Sequence, residues 1–124
     1  MKVAISSAGK DLTSPVDPRF GRCAYFVVVD TQTMAADGYE NPGALAGTGA
    51  GVAAAQVIAN AGAEAVISKV IGPYAFAALT EGEIAAYSGA SGTVADAVEQ
   101  FNNGQLEVLH DANADADAGS KRRG

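Results

Sequence analysis

Tryptophan is absent from this 124-residue chain, and the remaining aromatics number only four Phe and four Tyr. An interior organised around large aromatic anchors is therefore excluded. There is one cysteine, Cys23, so no intramolecular disulfide can form, which fits a reducing compartment and makes the cytoplasm the expected location. A four-cysteine iron-sulfur pattern and a structural zinc site fall with it. The single histidine, His110, has no second histidine to pair with. Basic residues are scarce: eight Lys and Arg against 14 Asp and Glu leave a net charge of -6, which opposes attraction to nucleic acid or anionic lipid. No apolar run approaches the roughly 18 residues that span a bilayer, and the apolar stretch in Met1–Ser6 is too short for a signal peptide.

What is present suffices for one folded domain. Apolar residues make up 48% of the chain, with alanine and 15 glycines prominent, so elements should pack closely through small side chains. Lys2–Ser6 reads as a buried strand running into Ser7-Ala8-Gly9. The segment from Lys10 to Cys23 holds two prolines and a glycine and reads as an ordered loop. Ala24–Asp30 and Met34–Glu40 form an antiparallel hairpin. Gly51–Ala61 is a helix with Val52, Ala55, Ile58 and Ala59 on one face, and Gly62 stops it. Ala65–Ile71 reads as a buried strand, Pro73–Leu79 as a helix closed by Gly82, and Glu83–Tyr87 as a short strand. Thr93 and Asp96 have capping-box spacing before a helix with Val94, Val98 and Phe101 inward; Gly104 ends it, and Leu106–Leu109 is a candidate terminal strand. The domain spans 1–110, and 111–124, whose charges cancel, is expected to be a mobile tail. The order predicts an α/β fold with a mixed sheet covered by helices.

In such a sheet, ligands gather beyond the carboxyl ends of the parallel strands. Those ends fall at Ser7–Gly9, Lys69–Pro73 and Ser88–Gly92, and the loop through Arg19 and Arg22 can fold over them. Lys10, Arg19, Arg22 and Lys69 would then concentrate positive charge on an acidic protein, and helix N-termini near Gly51 and Gly72 would add amide donors, together an anion site. The alternative reading leaves the arginines as solvated loop residues. Cys23 beside Arg19 and Arg22 is a candidate thiolate ligand for a soft metal; the alternative is a small buried hydrophobe. Gly47-Thr48-Gly49-Ala50-Gly51 lacks the strand context of a dinucleotide loop, and no nucleophile elbow, P-loop or paired carboxylates appear.

Several segments together carry a family resemblance: Met1–Ser7, Asp17-Pro18-Arg19-Phe20-Gly21-Arg22-Cys23-Ala24-Tyr25-Phe26, Asn41-Pro42, Ile71-Gly72-Pro73-Tyr74-Ala75-Phe76, and Gly92-Thr93-Val94 with Ala97-Val98. The chain resembles the dinitrogenase iron-molybdenum cofactor biosynthesis domain family over about residues 1 to 109. The resemblance implies a ribonuclease H-like fold, with a mixed five-stranded sheet flanked by helices and without nuclease carboxylates. It implies a non-enzymatic carrier or chaperone for an anionic iron-sulfur-type cluster or cofactor precursor, exchanging it with metallocluster donor or acceptor proteins. Carried over by residue, the cluster-facing positions are Arg19, Gly21, Arg22 and Cys23, with Gly72 and Pro73 on the opposing turn. Cys23 would be the metal ligand and Lys69 a further counter-charge. The histidine-rich stretch some relatives carry after Asn-Pro is replaced here by Gly43–Gly47, which favours transient docking. Two other readings are a protein-interaction module that never touches metal, and a binder or transformer of a small phosphorylated anion near Gly72 or Gly89.

Overall fold

The computed structural model describes residues 1–42 and 49–113; the Gly43–Gly47 stretch and the tail from residue 114 onward lie outside them. Six strands and three helices follow in the order β1 (Lys2–Ser7), β2 (Tyr25–Asp30), β3 (Ala36–Glu40), α1 (Ala50–Asn60), β4 (Ala65–Ile67), α2 (Pro73–Glu81), β5 (Ala85–Ser88), α3 (Val94–Asn102) and β6 (Glu107–Leu109). The sheet order is β3-β2-β1-β4-β5-β6. β1, β4 and β5 run parallel, while β2 and β6 are antiparallel to their neighbours. The α/β class and the mixed sheet match the expectation, and the sheet has six strands where the resemblance implied five: the Leu106–Leu109 segment pairs with β5.

Alternation along the central strands sends side chains to two separate cores. Ala4, Phe26, Val28, Val66 and Ala86 meet Ala54, Ala55 and Ile58 of α1 and Ala75 and Leu79 of α2. Val3, Ile5, Val27, Val29, Ala65 and Ile67 meet Val94, Ala97 and Val98 of α3. Because both faces are covered, β1 and β2 need unbroken apolar runs, which is what their sequences carry. Phe101 is half-buried as expected, its ring edge-on to Tyr87 at 4.9 Å.

Most boundaries shift by one or two residues, and some differences have a specific cause. β4 stops at Ile67, because Lys69–Ile71 leaves the sheet to pair with a loop. β5 starts only at Ala85, because the chain reverses at Glu83, which adopts a left-handed backbone (φ 59°) after Gly82. Val52 and Ala59 are not on the inner face of α1, since both are exposed; Ala55 and Ile58 are buried as expected, together with Ala50 and Ala54. Residues 111–113, read as the start of the tail, are tied to the domain through three hydrogen bonds of Asn113 to Lys69 and Ile71.

The α3 capping box is formed in full. Thr93 Oγ1 accepts from the Asp96 amide (3.2 Å), and Asp96 Oδ2 accepts from the Thr93 amide (3.0 Å). Thr93→Ala is expected to lower stability by about 1 kcal/mol. Urea denaturation would show this as a lower midpoint at unchanged slope.

Candidate functional site

The carboxyl edge of β1, β4 and β5 is closed by the loop between β1 and β2. Its first half ties β1 to α3: Ala8 N donates to Pro15 O, Asp17 N to Ser6 O, and Val16 N to Gly92 O. The first-turn amides of α3 are consumed too, Val94 N by Ser14 O and Ala95 N by Leu12 O. With Thr93 and Asp96 in place, the N-terminus of α3 has few donors left for an anion. The first-turn amides of α3 are thus taken up within the protein.

The second half of the loop runs beside the β4–α2 connector. Lys69 N and Val70 N both donate to Pro18 O (3.1 and 2.7 Å), and Phe20 N donates to Val70 O (3.0 Å). Arg19 and Val70 form a parallel bridge, so the two segments singled out from sequence lie side by side. Gly21 then rests against the start of α1, where an added Cβ would stand 3.3 Å from Gly51 N. Gly51 in turn abuts α2, because a Cβ there would stand 2.6 Å from that of Ala75. The second approach is too close for any Cβ, and the first leaves little room for one. The first turns of α1 and α2 therefore meet at Gly51 and Ala75, and Gly21 packs on the α1 side of that contact. Both helices have glycine caps, Gly49 and Gly72, neither has an acid in its first turn, and Pro73 opens α2. Unlike α3, they keep their positive ends uncompensated by cap side chains or first-turn acids.

The predicted residues divide between surface and interior. Arg19 is on the surface and paired with Asp17, Nη2 to Oδ2 at 3.2 Å and Nε to Oδ1 at 3.2 Å. Hydrogen bonding to Asp17, reinforced by its charge, raises the Arg19 pKa further. Arg22 and Lys69 are exposed. Lys69 borders a cleft of about 210 Å³ whose polar lining includes Ser6, Asp17 and Ser68. Ser6 donates to Asp17 O (2.6 Å), and its oxygen lies 2.9 Å from Ser68 Oγ. Lys10 does not join the other cations: its ammonium sits over the Tyr25 ring, 5.7 Å from the centroid. His110 is exposed.

Cys23 corrects the expectation of a surface thiolate. It is 0% exposed, and its thiol donates to Phe20 O at 3.4 Å. Asn41 closes the turn from the other side, donating to Cys23 O (2.9 Å) and Gly21 O (3.3 Å). Burial pushes the thiol pKa up to about 12, the reverse of the depression expected from the arginines. Cys23 fills a core position beside Phe20, whose ring stacks at a tilt on Phe26 with centroids 5.2 Å apart. Among the described residues, no group of three or more His, Cys, Asp and Glu side chains is placed to hold a metal ion.

Two residues at the convergence were missed by the sequence reading. Tyr74, in the first turn of α2, is 69% exposed, and Val52 lies in the first turn of α1. They flank the Gly51–Ala75 contact, and they are two of the four large apolar or aromatic side chains exposed among the described residues. The available signal was Tyr74 immediately after Gly72-Pro73, where the first helical turn is not yet committed to the core.

Residues 1–104 match the family described as dinitrogenase iron-molybdenum cofactor. The chain belongs to this family. The apo form of the orange protein from Desulfovibrio gigas is similar, with TM-score 0.86 and 40% identity over 90% of this chain and 95% of that one. A Thermotoga protein assigned provisionally to NifB and to the DUF35 family gives TM-score 0.77 and 35% identity, over 99% and 98%. An uncharacterized protein of Methanocaldococcus jannaschii is 29% identical over 110 residues, 86% of this chain and 90% of its own length. The family connects the fold with the iron-molybdenum cofactor of dinitrogenase. Among the described residues, no helix is long and apolar enough to cross a membrane.

The raised thiol pKa has a pH consequence. The folded state keeps the Cys23 proton where the unfolded chain has lost it, so this contribution is complete below pH 9.0 and is lost as pH rises toward about 12. Cys23→Ser should flatten that part of the stability profile, measured by denaturation from pH 8 to 11. The native wild type should also resist Ellman's reagent until urea exposes the thiol.

Proposed function

We propose that this protein is a non-enzymatic cytoplasmic carrier for an anionic metal-sulfide cluster or iron-sulfur-type cofactor precursor, held as transient cargo between donor and acceptor proteins. The observation that carries the reading is the meeting of the α1 and α2 first turns at Gly51 and Ala75, with Gly21 packed on Gly51 and with Arg22 and Tyr74, their sequence neighbours, exposed. Arg22 and Lys69 supply charge on a chain of net charge -6, Arg19 being compensated by Asp17, and Gly72 and Pro73 open α2 without a capping side chain. Family membership and the likeness to a protein described in an apo form, one without its prosthetic group, support a removable cargo.

The chemistry fits that cargo better than a hard oxyanion. Sulfide surfaces are polarisable and weakly hydrated, so they gain from cations and amide donors and also from the wall formed by Tyr74 and Val52. With Cys23 buried, the hold on the cargo is assigned to charge and surface contacts, and no bond to the thiol. Retention is then electrostatic and dispersive, and transfer to an acceptor breaks no metal-thiolate bond.

Tetrathiomolybdate and molybdate are tetrahedral dianions that differ only in sulfur for oxygen. Anaerobic equilibrium dialysis is expected to show the thio anion bound at least about tenfold more tightly. Arg22→Ala should weaken its binding, Tyr74→Ala should reduce the sulfur preference, and Cys23→Ser should change neither. Loss of binding in a folded Cys23→Ser variant, or binding of neither anion by the wild type, would overturn the assignment.

A further inference from the structure

The connector between β4 and α2 has every backbone polar group from Lys69 to Ile71 engaged, and they divide evenly between two partners. The loop takes three: Lys69 N and Val70 N donate to Pro18 O, and Val70 O accepts from Phe20 N. Asn113 takes the other three. Its Nδ2 donates to Lys69 O (2.6 Å), its Oδ1 accepts from Ile71 N (2.8 Å), and its own amide donates to Ile71 O (3.1 Å). One residue thus acts as an adjacent strand along an edge the sheet does not reach. Asparagine suits the task because it offers a donor and an acceptor on one planar group, whereas aspartate at neutral pH has no donor for the Lys69 carbonyl. Asn113 lies beyond the family match, which ends at residue 104.

The connector carries Lys69 at one end and leads directly into Gly72 and Pro73 at the other. We infer that Asn113 is a positioning residue for the cargo mouth, a clasp from the C-terminal segment that fixes the connector against the loop; this rests on the carrier reading above. Half of the connector's hydrogen bonds come from this one residue. Without its side chain, Lys69 O and Ile71 N lose their partners, and on that side only the residue-113 amide still holds Ile71 O. The same fold would persist, because neither apolar core contains Asn113.

The test uses the full chain as wild type, Asn113→Ala and Asn113→Asp, with tetrathiomolybdate as the probe. Amide exchange by NMR should show Ile71 N–H exchanging about tenfold faster in Asn113→Ala, while β1 and β2 amides keep their protection; Asn113→Asp keeps an acceptor for that amide and loses only the donor to Lys69 O. Tetrathiomolybdate affinity should fall about fivefold in Asn113→Ala, at a thermal midpoint close to wild type. Asn113→Asp should fall further, since it adds a negative charge beside the mouth. Unchanged Ile71 exchange in Asn113→Ala would overturn the clasp. Faster exchange with wild-type affinity in Asn113→Ala would overturn the positioning role, as would weakening confined to Asn113→Asp, which is charge alone. A wild type that binds no anion would instead sink the carrier reading, while the exchange measurement would still decide the clasp.

Discussion

The backbone of the loop before β2 is what the rest of the structure depends on, and its pivotal atom is the Pro18 carbonyl oxygen, which accepts from both Lys69 and Val70. Parallel strands ending side by side leave amides and carbonyls beyond the sheet that burial would otherwise strand without partners. The loop supplies those partners from Ser7 to Phe20. In doing so it decides the fate of three helix ends. It takes up the first-turn amides of α3, and it brings Gly21 against α1 where α1 meets α2. One end of the molecule thereby acquires a closed polar seam and, next to it, two helix starts without first-turn acids or side-chain caps.

The same turn sorts side chains by a spacing of three. Phe20 and Cys23 go inward and are almost fully buried, while Arg19 and Arg22 go outward. Proximity in sequence therefore misleads about chemistry: a thiol adjacent to an arginine can lie on the opposite side of a tight turn, where desolvation dominates its pKa. The pattern was present in the sequence, since an aromatic and a cysteine three apart interleave with two arginines three apart. What the sequence does not state is which pair faces the core, and the packing of Phe20 on Phe26 decides it.

Much of the fold was legible because local signals agreed with burial. The Tyr-Phe-Val-Val-Val run, the Thr93–Asp96 cap and the Gly-Pro opening of α2 each point to one conformation. The errors arose where tertiary contacts override pattern. Val70 and Ile71 look like a continuing strand, yet their partners are a loop and Asn113 rather than β1 and β5. Val52 has the right helical phase for a core, but it lies in the first turn, while the buried residues of that helix include Ala54, Ala55 and Ile58. The candidate site was readable as a set of segments, not as a surface: Arg19, Arg22, Lys69, Gly72 and Pro73 came from sequence, whereas Tyr74 and the inward Cys23 needed the packing.

On the proposed carrier reading, these placements change the kind of binding the site would offer. A site built on a thiolate holds metal through a bond whose strength depends on proton and redox state. A site built on guanidinium groups, helix ends and an exposed ring holds an anion through charge and polarisability, and releases it when a better-matched surface approaches. Fixing such a mouth costs conformational entropy, which is reduced when its walls are already hydrogen-bonded in place. The connector meets that need from both sides, with the loop on one edge and Asn113 on the other. Its rigidity is therefore the counterpart of the missing covalent ligand: weak contacts can select a cargo only if the groups making them are held still.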